Sequence, residues 1–162
     1  MSALEVKVGI ADLNVVLDPG KIMTIGLGSC IGIVLYDRVK KVAGLSHIML
    51  PDSTQFKSVT NPMKFADLAI PMLIEKMEKQ GANKRNFVAK IAGGASMFNF
   101  TDKSIISDIG KRNSDSVKEI LKKEGIPIVA EETGGDKGRT MIVSATNGLV
   151  TLKVVGQGII EL

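Results

Sequence analysis

Cysteine and histidine each occur once in these 162 residues, as Cys30 and His47; tryptophan is absent and there is one tyrosine. Each scarcity excludes something. A lone cysteine cannot form an internal disulfide and suits a reducing compartment. One cysteine and one histidine are too few for a zinc site unless carboxylates complete it, and no spacing suggests such a set, so neither a metal nor another cofactor is expected. Aromatic residues make up only 4%, which leaves few platforms on which bases could stack. The formal net charge of +4 comes from lysines scattered among acidic residues, with no block of one sign. Nucleic-acid binding is therefore a weak reading. An acidic protein partner would suit the charge, and a solvated surface with a few extra lysines accounts for it more plainly. No uninterrupted apolar run approaches bilayer length, and Met1-Ser2-Ala3-Leu4-Glu5-Val6-Lys7 lacks a basic start followed by an apolar block. Membrane insertion is not expected, and the chain reads as soluble and cytoplasmic.

What is present is a 44% hydrophobic sequence, long enough to bury a core as one domain over 1–162. Residues 5–16 read as one or two short strands around Gly9. Asp18-Pro19-Gly20 is a turn, since proline presets one backbone angle and glycine accepts the reversed one. Strands follow at 21–26, 31–36 and 42–50, then a polar loop over 53–61. From 62 to 80 the period changes to that of a helix, with Phe65, Ala69, Leu73 and Met77 every fourth residue, Asn61-Pro62 at the start and Gly81 at the end. Pro71 inside it costs roughly 3 kcal/mol, which predicts either a kink at Asp67 or a regular part that begins near Ala69. A strand over 86–91 runs into Gly93-Gly94, whose spacing fits no phosphate loop and indicates close backbone approach instead. A second helix is expected over 110–124, with Val117, Ile120 and Leu121 inward and Asn113 on the same face. A buried amide must find partners, and a structural role in holding a loop is the favoured one, ahead of a role in buttressing a site. A strand over 126–132, a glycine-rich loop and two strands flanking Asn147-Gly148, a hairpin signal, complete the chain. Eight or nine strands and two helices give a mixed α/β fold with much antiparallel pairing, the helices packed on a sheet.

The chemistry concentrates between Lys21 and Asp52. Cys30 follows Gly26-Leu27-Gly28-Ser29 and precedes an apolar strand, so the sulfur sits on a turn where glycines leave space beside it. His47 lies on the next strand, and antiparallel pairing would bring thiol and imidazole side by side as nucleophile and base. On composition alone a lone cysteine is most often a small buried hydrophobe, and a lone histidine a satisfied core residue. The glycine turn raises the chance of catalysis. Gly28-Ser29-Cys30-Ile31-Gly32 also matches a nucleophile elbow with cysteine for serine, but that motif wants a helix next, and Ile31-Gly32-Ile33-Val34-Leu35 reads as strand.

Four motifs in order, Leu27-Gly28-Ser29-Cys30, His47-Ile48-Met49-Leu50-Pro51, Gly93-Gly94-Ala95-Ser96-Met97-Phe98 and Gly134-Gly135-Asp136-Lys137-Gly138-Arg139, resemble the chemoreceptor glutamine deamidase CheD family of bacterial and archaeal chemotaxis. The resemblance spans nearly the whole chain. It implies an α/β sandwich related to the catalytic domains of deamidating toxins, methyl-accepting chemotaxis receptors as substrates, and a CheC-type phosphatase of CheY-phosphate as a partner whose activity is raised. By position it assigns Cys30 as nucleophile, His47 as base and Thr24 as the residue that orients the histidine. Two departures stand out: Glu132 where the family usually has aspartate, and a somewhat long link over 99–108. Phe98, after a glycine-rich strand end, is the candidate partner contact, with capping of the core as the plainer alternative.

In this reading the sulfur attacks a glutamine side-chain amide, the backbone N–H groups of Ser29 and Cys30 hold the oxyanion, and a thioester forms and is hydrolysed. A neighbouring imidazolium is expected to lower the thiol pKa below the ordinary value of about 8.5. Two other functions stay open at this point: a thiol hydrolase acting on a different amide or ester, and a non-catalytic module that regulates a phosphatase.

Overall fold

Where apolar residues alternate along strands, each strand must be covered on both faces or on one, and that requirement sets the layers here. The computed structural model describes residues 4–96 and 109–162. Ten strands occur among them: β1 Glu5–Val8, β2 Asp12–Leu17, β3 Lys21–Leu27, β4 Ile31–Asp37, β5 Val42–Ile48, β6 Phe87–Gly93, β7 Ile128–Thr133, β8 Arg139–Ser144, β9 Val150–Val154 and β10 Gly158–Glu161, with helices α1 Ala66–Lys79 and α2 Ile109–Lys123. They form two five-stranded sheets, ordered β1-β3-β8-β9-β10 and β2-β5-β4-β6-β7. Pairing is antiparallel except between β1 and β3 and between β6 and β7.

Two apolar clusters fill the layers. One joins inward residues of both sheets, among them Ile22 and Leu27 of β3, Val34 of β4, Leu45 of β5 and Met141 of β8. The other packs Ile70, Leu73 and Met77 of α1 and Val117 and Leu121 of α2 on Ile31, Ile33 and Leu35 of β4 and Ile91 of β6. The architecture is thus sheet on sheet, with both helices on the outer face of the second sheet: the mixed, largely antiparallel α/β sandwich that the sequence indicates. Every residue of β4 and β5 is buried because both of their faces are covered. That is why these strands read as continuous apolar runs and not as alternating ones.

The structure alters three details. The tally among the described residues is ten strands, since β10 is a four-residue edge strand paired to β9 and mostly exposed, too short to show a period. The first helix does not start at Pro62. Residues Pro62–Lys64 form a separate 3-10 turn capped by the Asn61 side chain, Phe65 is extended, and α1 then runs from Ala66 through Pro71 without interruption. The proline falls early in the second turn, and the regular part begins before Ala69. The loop between β8 and β9 is longer than a two-residue turn, because the ladder closes at Val143 and Val150. Only Gly148 takes a positive φ there, packed under the ring of Tyr36, whose hydroxyl donates to the Ala145 carbonyl.

Among the described residues, no helix is long and apolar enough to cross a membrane.

Candidate active site

Thr24 owes its inward aim to a β-bulge. Opposite β8, Thr24 pairs with Met141 and Leu27 with Arg139, so β3 carries one extra residue between them, and Gly26 supplies the positive φ of 82°. The extra residue lets Thr24 and Leu27 both point into the layer between the sheets, which strict alternation would forbid. Ile25 is turned to solvent. Beside this bulge, Lys7, Ile10, Met23, Thr24 and Ile25 line a pocket.

His47 reaches the same layer from β5. It pairs across the ladder with Gly32 of β4 on one side and Asp12 of β2 on the other, and it is fully buried. Its Nδ1 lies 2.6 Å from Thr24 Oγ1, and Thr24 Oγ1 donates its one proton to the carbonyl of Val8 at 2.7 Å. A hydroxyl has a single proton, so with that proton committed it meets the imidazole as an acceptor. His47 is therefore the Nδ1–H tautomer, and Nε2 carries the free lone pair. Nε2 has no hydrogen-bond partner among the described residues.

Cys30 stands one residue before the first pair of the β4–β5 ladder, Ile31 with Ile48. The residue directly across from His47 is Gly32, not Cys30, so the side-by-side pairing becomes a diagonal one. Cys30 and Gly32 share the inter-sheet side. Cys30 packs against that cluster, and a Cβ on Gly32 would meet Met141 and Leu27 of the same cluster. Diagonal neighbours in a ladder lie about 7–8 Å apart between Cα atoms, a gap that an aromatic or long side chain spans. Cys30 is partly exposed, while His47 is fully enclosed.

The turn that carries the thiol is tethered at three successive carbonyls. Gly28 O accepts from Ala95 N at 2.8 Å, Cys30 O from Gly94 N at 2.9 Å, and Ser29 O from Asn113 Nδ2 at 3.0 Å. Gly93 carries a φ of 115°, and a side chain there would overlap the Cys30 carbonyl oxygen. The Gly93-Gly94 pair thus serves close backbone approach, the role its spacing indicates. Arg139, almost fully buried, holds the next layer out: Nε donates to Glu132 Oε2 at 2.6 Å, Nη1 to Gly93 O at 3.1 Å and Nη2 to Gly134 O at 2.6 Å. Glu132, the departure from the usual aspartate, is the carboxylate that neutralises this arginine. The sequence places Arg139 in a motif and marks Glu132 as a departure, but it does not show that the two pair; the cue was an arginine at a strand start after a glycine-rich loop.

Burial moves the two reactive groups in opposite directions. It pushes the Cys30 thiol above its ordinary value, opposed by a hydrogen bond from the Cys30 backbone N–H, and it lowers His47 to about 4. This corrects the expectation of an acidified thiol. At neutral pH the imidazole is uncharged and offers no cation to stabilise a thiolate, so the resting pair is thiol and imidazole. Phe98, the candidate partner contact, lies outside the described residues. Among those residues no cluster of metal-ligating side chains occurs.

Comparison with known proteins gives the same direction. The family described as "CheD chemotactic sensory transduction" matches residues 49–154. A Clostridium botulinum (strain Alaska E43 / Type E3) protein named "Probable chemoreceptor glutamine deamidase CheD" is 72% identical over 162 residues, covering all of both chains. One of the same name from Clostridium novyi (strain NT) is 69% identical over 159 residues, 98% of each. Among solved structures, a Neisseria meningitidis protein of family DUF152 superposes with a TM-score of 0.54 at 11% identity, over 83% of this chain and 65% of that one; that likeness concerns the fold alone. With the family match spanning most of the chain and full-length relatives this similar, the chain belongs to the CheD family.

Proposed function

We propose that this protein deamidates glutamine side chains of methyl-accepting chemotaxis receptors to glutamate, with Cys30 as nucleophile, His47 as general base and acid, and Thr24 as the residue that fixes the imidazole. The names of its full-length relatives support the activity and the substrate class. The observation that carries the mechanism is the two-step chain from Val8 O through Thr24 Oγ1 to His47 Nδ1, which leaves Nε2 as a bare base on the face that Cys30 shares.

His47 Nε2 takes the proton of the Cys30 thiol as Sγ attacks the side-chain carbonyl carbon of glutamine. The carbonyl oxygen gains charge and is met by the backbone N–H groups of Ser29 and Cys30. As the C–N bond breaks, Nε2–H gives its proton to the leaving nitrogen, and ammonia departs from a thioester. Water then loses a proton to Nε2 as it attacks the thioester carbon. The C–S bond breaks, the sulfur recovers the proton, and a carboxylic acid remains, which ionises to glutamate at neutral pH. Because the resting pair is neutral, proton transfer accompanies attack, as in a serine triad, and does not precede it. Thr24 carries no charge, so it stabilises the imidazolium less than a carboxylate would and acts mainly on tautomer and orientation.

The reaction suits the cytoplasm, whose reducing poise keeps a lone thiol free. From the family resemblance the proposal extends to docking of a CheC-type phosphatase with a rise in its activity. A receptor fragment incubated with the protein and read by intact-mass spectrometry and peptide mapping tests the main claim: conversion of named glutamines to glutamate supports it. A phosphatase assay on CheY-phosphate with and without the protein tests the partner.

A further inference from the structure

We infer that Asn113 is a positioning residue for this chemistry: its amide sets the orientation of the peptide between Ser29 and Cys30, and so of an oxyanion-binding N–H, and ties that peptide to the strand end that follows His47. The inference rests on the cysteine mechanism proposed above and adds a residue from a different element to it.

Asn113 lies in the second turn of α2 and is fully buried. Its Nδ2 donates to Ser29 O at 3.0 Å and to Met49 O at 2.9 Å. A side-chain amide has two N–H donors, and both are spent on backbone carbonyls, one immediately before Cys30 and one two residues after His47. The reverse orientation would set an oxygen against two oxygens, so the amide has one stable placement. Gly110, one turn earlier, admits the approach of α2, since a side chain there would collide with the Gly94 and Ala95 carbonyls.

Peptide geometry turns this grip into a catalytic consequence. In a planar trans peptide the C=O and the N–H point in opposite directions. With Gly28 O drawn to Ala95 and Ser29 O drawn to Asn113, the N–H groups of Ser29 and Cys30 are turned away from those donors. The Cys30 N–H belongs to the same residue as the nucleophile, so it lies beside the carbonyl that its sulfur attacks. Without Asn113 the Ser29 carbonyl loses its donor and the peptide can rotate, and the oxyanion loses a preset partner. A purely structural role predicts something else: loss of stability, with catalysis and thiol access changing together.

Two reactions of the same sulfur separate these roles. Deamidation passes through an oxyanion, whereas alkylation by iodoacetamide displaces iodide and forms none. Asn113→Ala is expected to lower kcat for a receptor fragment about 100-fold, the scale of a lost oxyanion donor, with KM and the Cys30 alkylation rate within about threefold of wild type. Should that variant not fold, Asn113→Ser, whose shorter hydroxyl does not reach the two carbonyls, carries the same test with a loss of about 100-fold. A folded variant with wild-type kcat overturns the inference, as does alkylation that falls in step with kcat, and failure of both variants to fold makes the residue one of the fold. Wild type is the control throughout: a wild-type protein that converts no glutamine removes the deamidase reading itself, whereas an active wild type with an equally active Asn113→Ala removes this inference only.

Discussion

Gly32 stands directly across the β4–β5 ladder from His47, so the residue paired with the imidazole has no side chain. A Cβ built there would sit 2.8 Å from Met141 Sδ and 3.0 Å from Leu27 Cδ1. The space beside the buried imidazole is therefore shared with a methionine and a leucine from the opposite sheet, and the site is packed from four strands at once. Gly32→Ala should destabilise the fold by about 1–3 kcal/mol through overpacking, read as a lower urea midpoint at unchanged slope. Activity should fall with it, because the nearest way to relieve the crowding moves the layer that holds His47.

Thr24→Val keeps the shape of the side chain but removes the hydroxyl. The Val8 carbonyl and His47 Nδ1 then both lose their partner, at a cost of about 1–3 kcal/mol for each buried group left unpaired. Tautomer control goes with them. Deamidation should drop at least tenfold, and Thr24→Ser should restore most of it, since the serine hydroxyl can bridge the same two atoms. Equal rates for the valine and serine variants would show that the hydroxyl has no part in orienting the histidine.

Burial of His47 gives stability a defined dependence on pH. The folded-state pKa, about 4, lies below the 6.5 of a free imidazole, so between these values the unfolded chain binds a proton that the folded chain does not. The contribution is present above pH 6.5 and is lost as pH falls toward 4, by which point the loss amounts to roughly 3 kcal/mol. Comparison with His47→Gln isolates it from the carboxylates that titrate nearby: the unfolding free energy of wild type minus that of the variant should shrink as pH falls from 7 to 4. A difference that stays constant would mean that the imidazole is hydrated in the folded protein.

Activity and alkylation should separate in pH. With imidazole neutral above about 4 and the thiol raised above its ordinary value by burial, the neutral pair persists across the physiological range. The kcat/KM for deamidation should be nearly flat from about pH 5 to 8, since the base and the proton it accepts are both in place there. Alkylation by iodoacetamide, which needs the thiolate, should instead climb through that range without a plateau below the ordinary thiol value of about 8.5. An alkylation plateau near pH 6 would reveal a preformed ion pair and would move proton transfer ahead of attack.

The site was more legible in the sequence than the fold that encloses it. Gly28-Ser29-Cys30 and the strand ending at His47 announce themselves through local chemistry: glycines where the backbone must turn, and apolar runs where it must extend. Thr24 came only through family resemblance, because its aim depends on the bulge at Ile25 and Gly26, which nothing in the alternation of β3 marks. The partition of ten strands into two sheets was not readable either. It rests on pairings such as β1 with β3 and β6 with β7, in which parallel neighbours are far apart in sequence or joined around other elements. For the same reason the direction of the thiol's pKa shift is not legible in the sequence, since burial belongs to the layers and not to the local motif. Asn113 reads as an inward amide, but its two acceptors, Ser29 and Met49, lie 84 and 64 residues away in sequence.

The central claim is that the sulfur of Cys30 converts receptor glutamine to glutamate. Its most direct test is intact-mass analysis of one receptor fragment incubated with wild type, with Cys30→Ala and with buffer, at matched concentrations and with melting curves taken on both proteins. The account predicts conversion of specific glutamines by wild type alone, and a Cys30→Ala protein that melts close to wild type yet leaves the fragment as buffer does. Conversion by the alanine variant at the wild-type rate would contradict it.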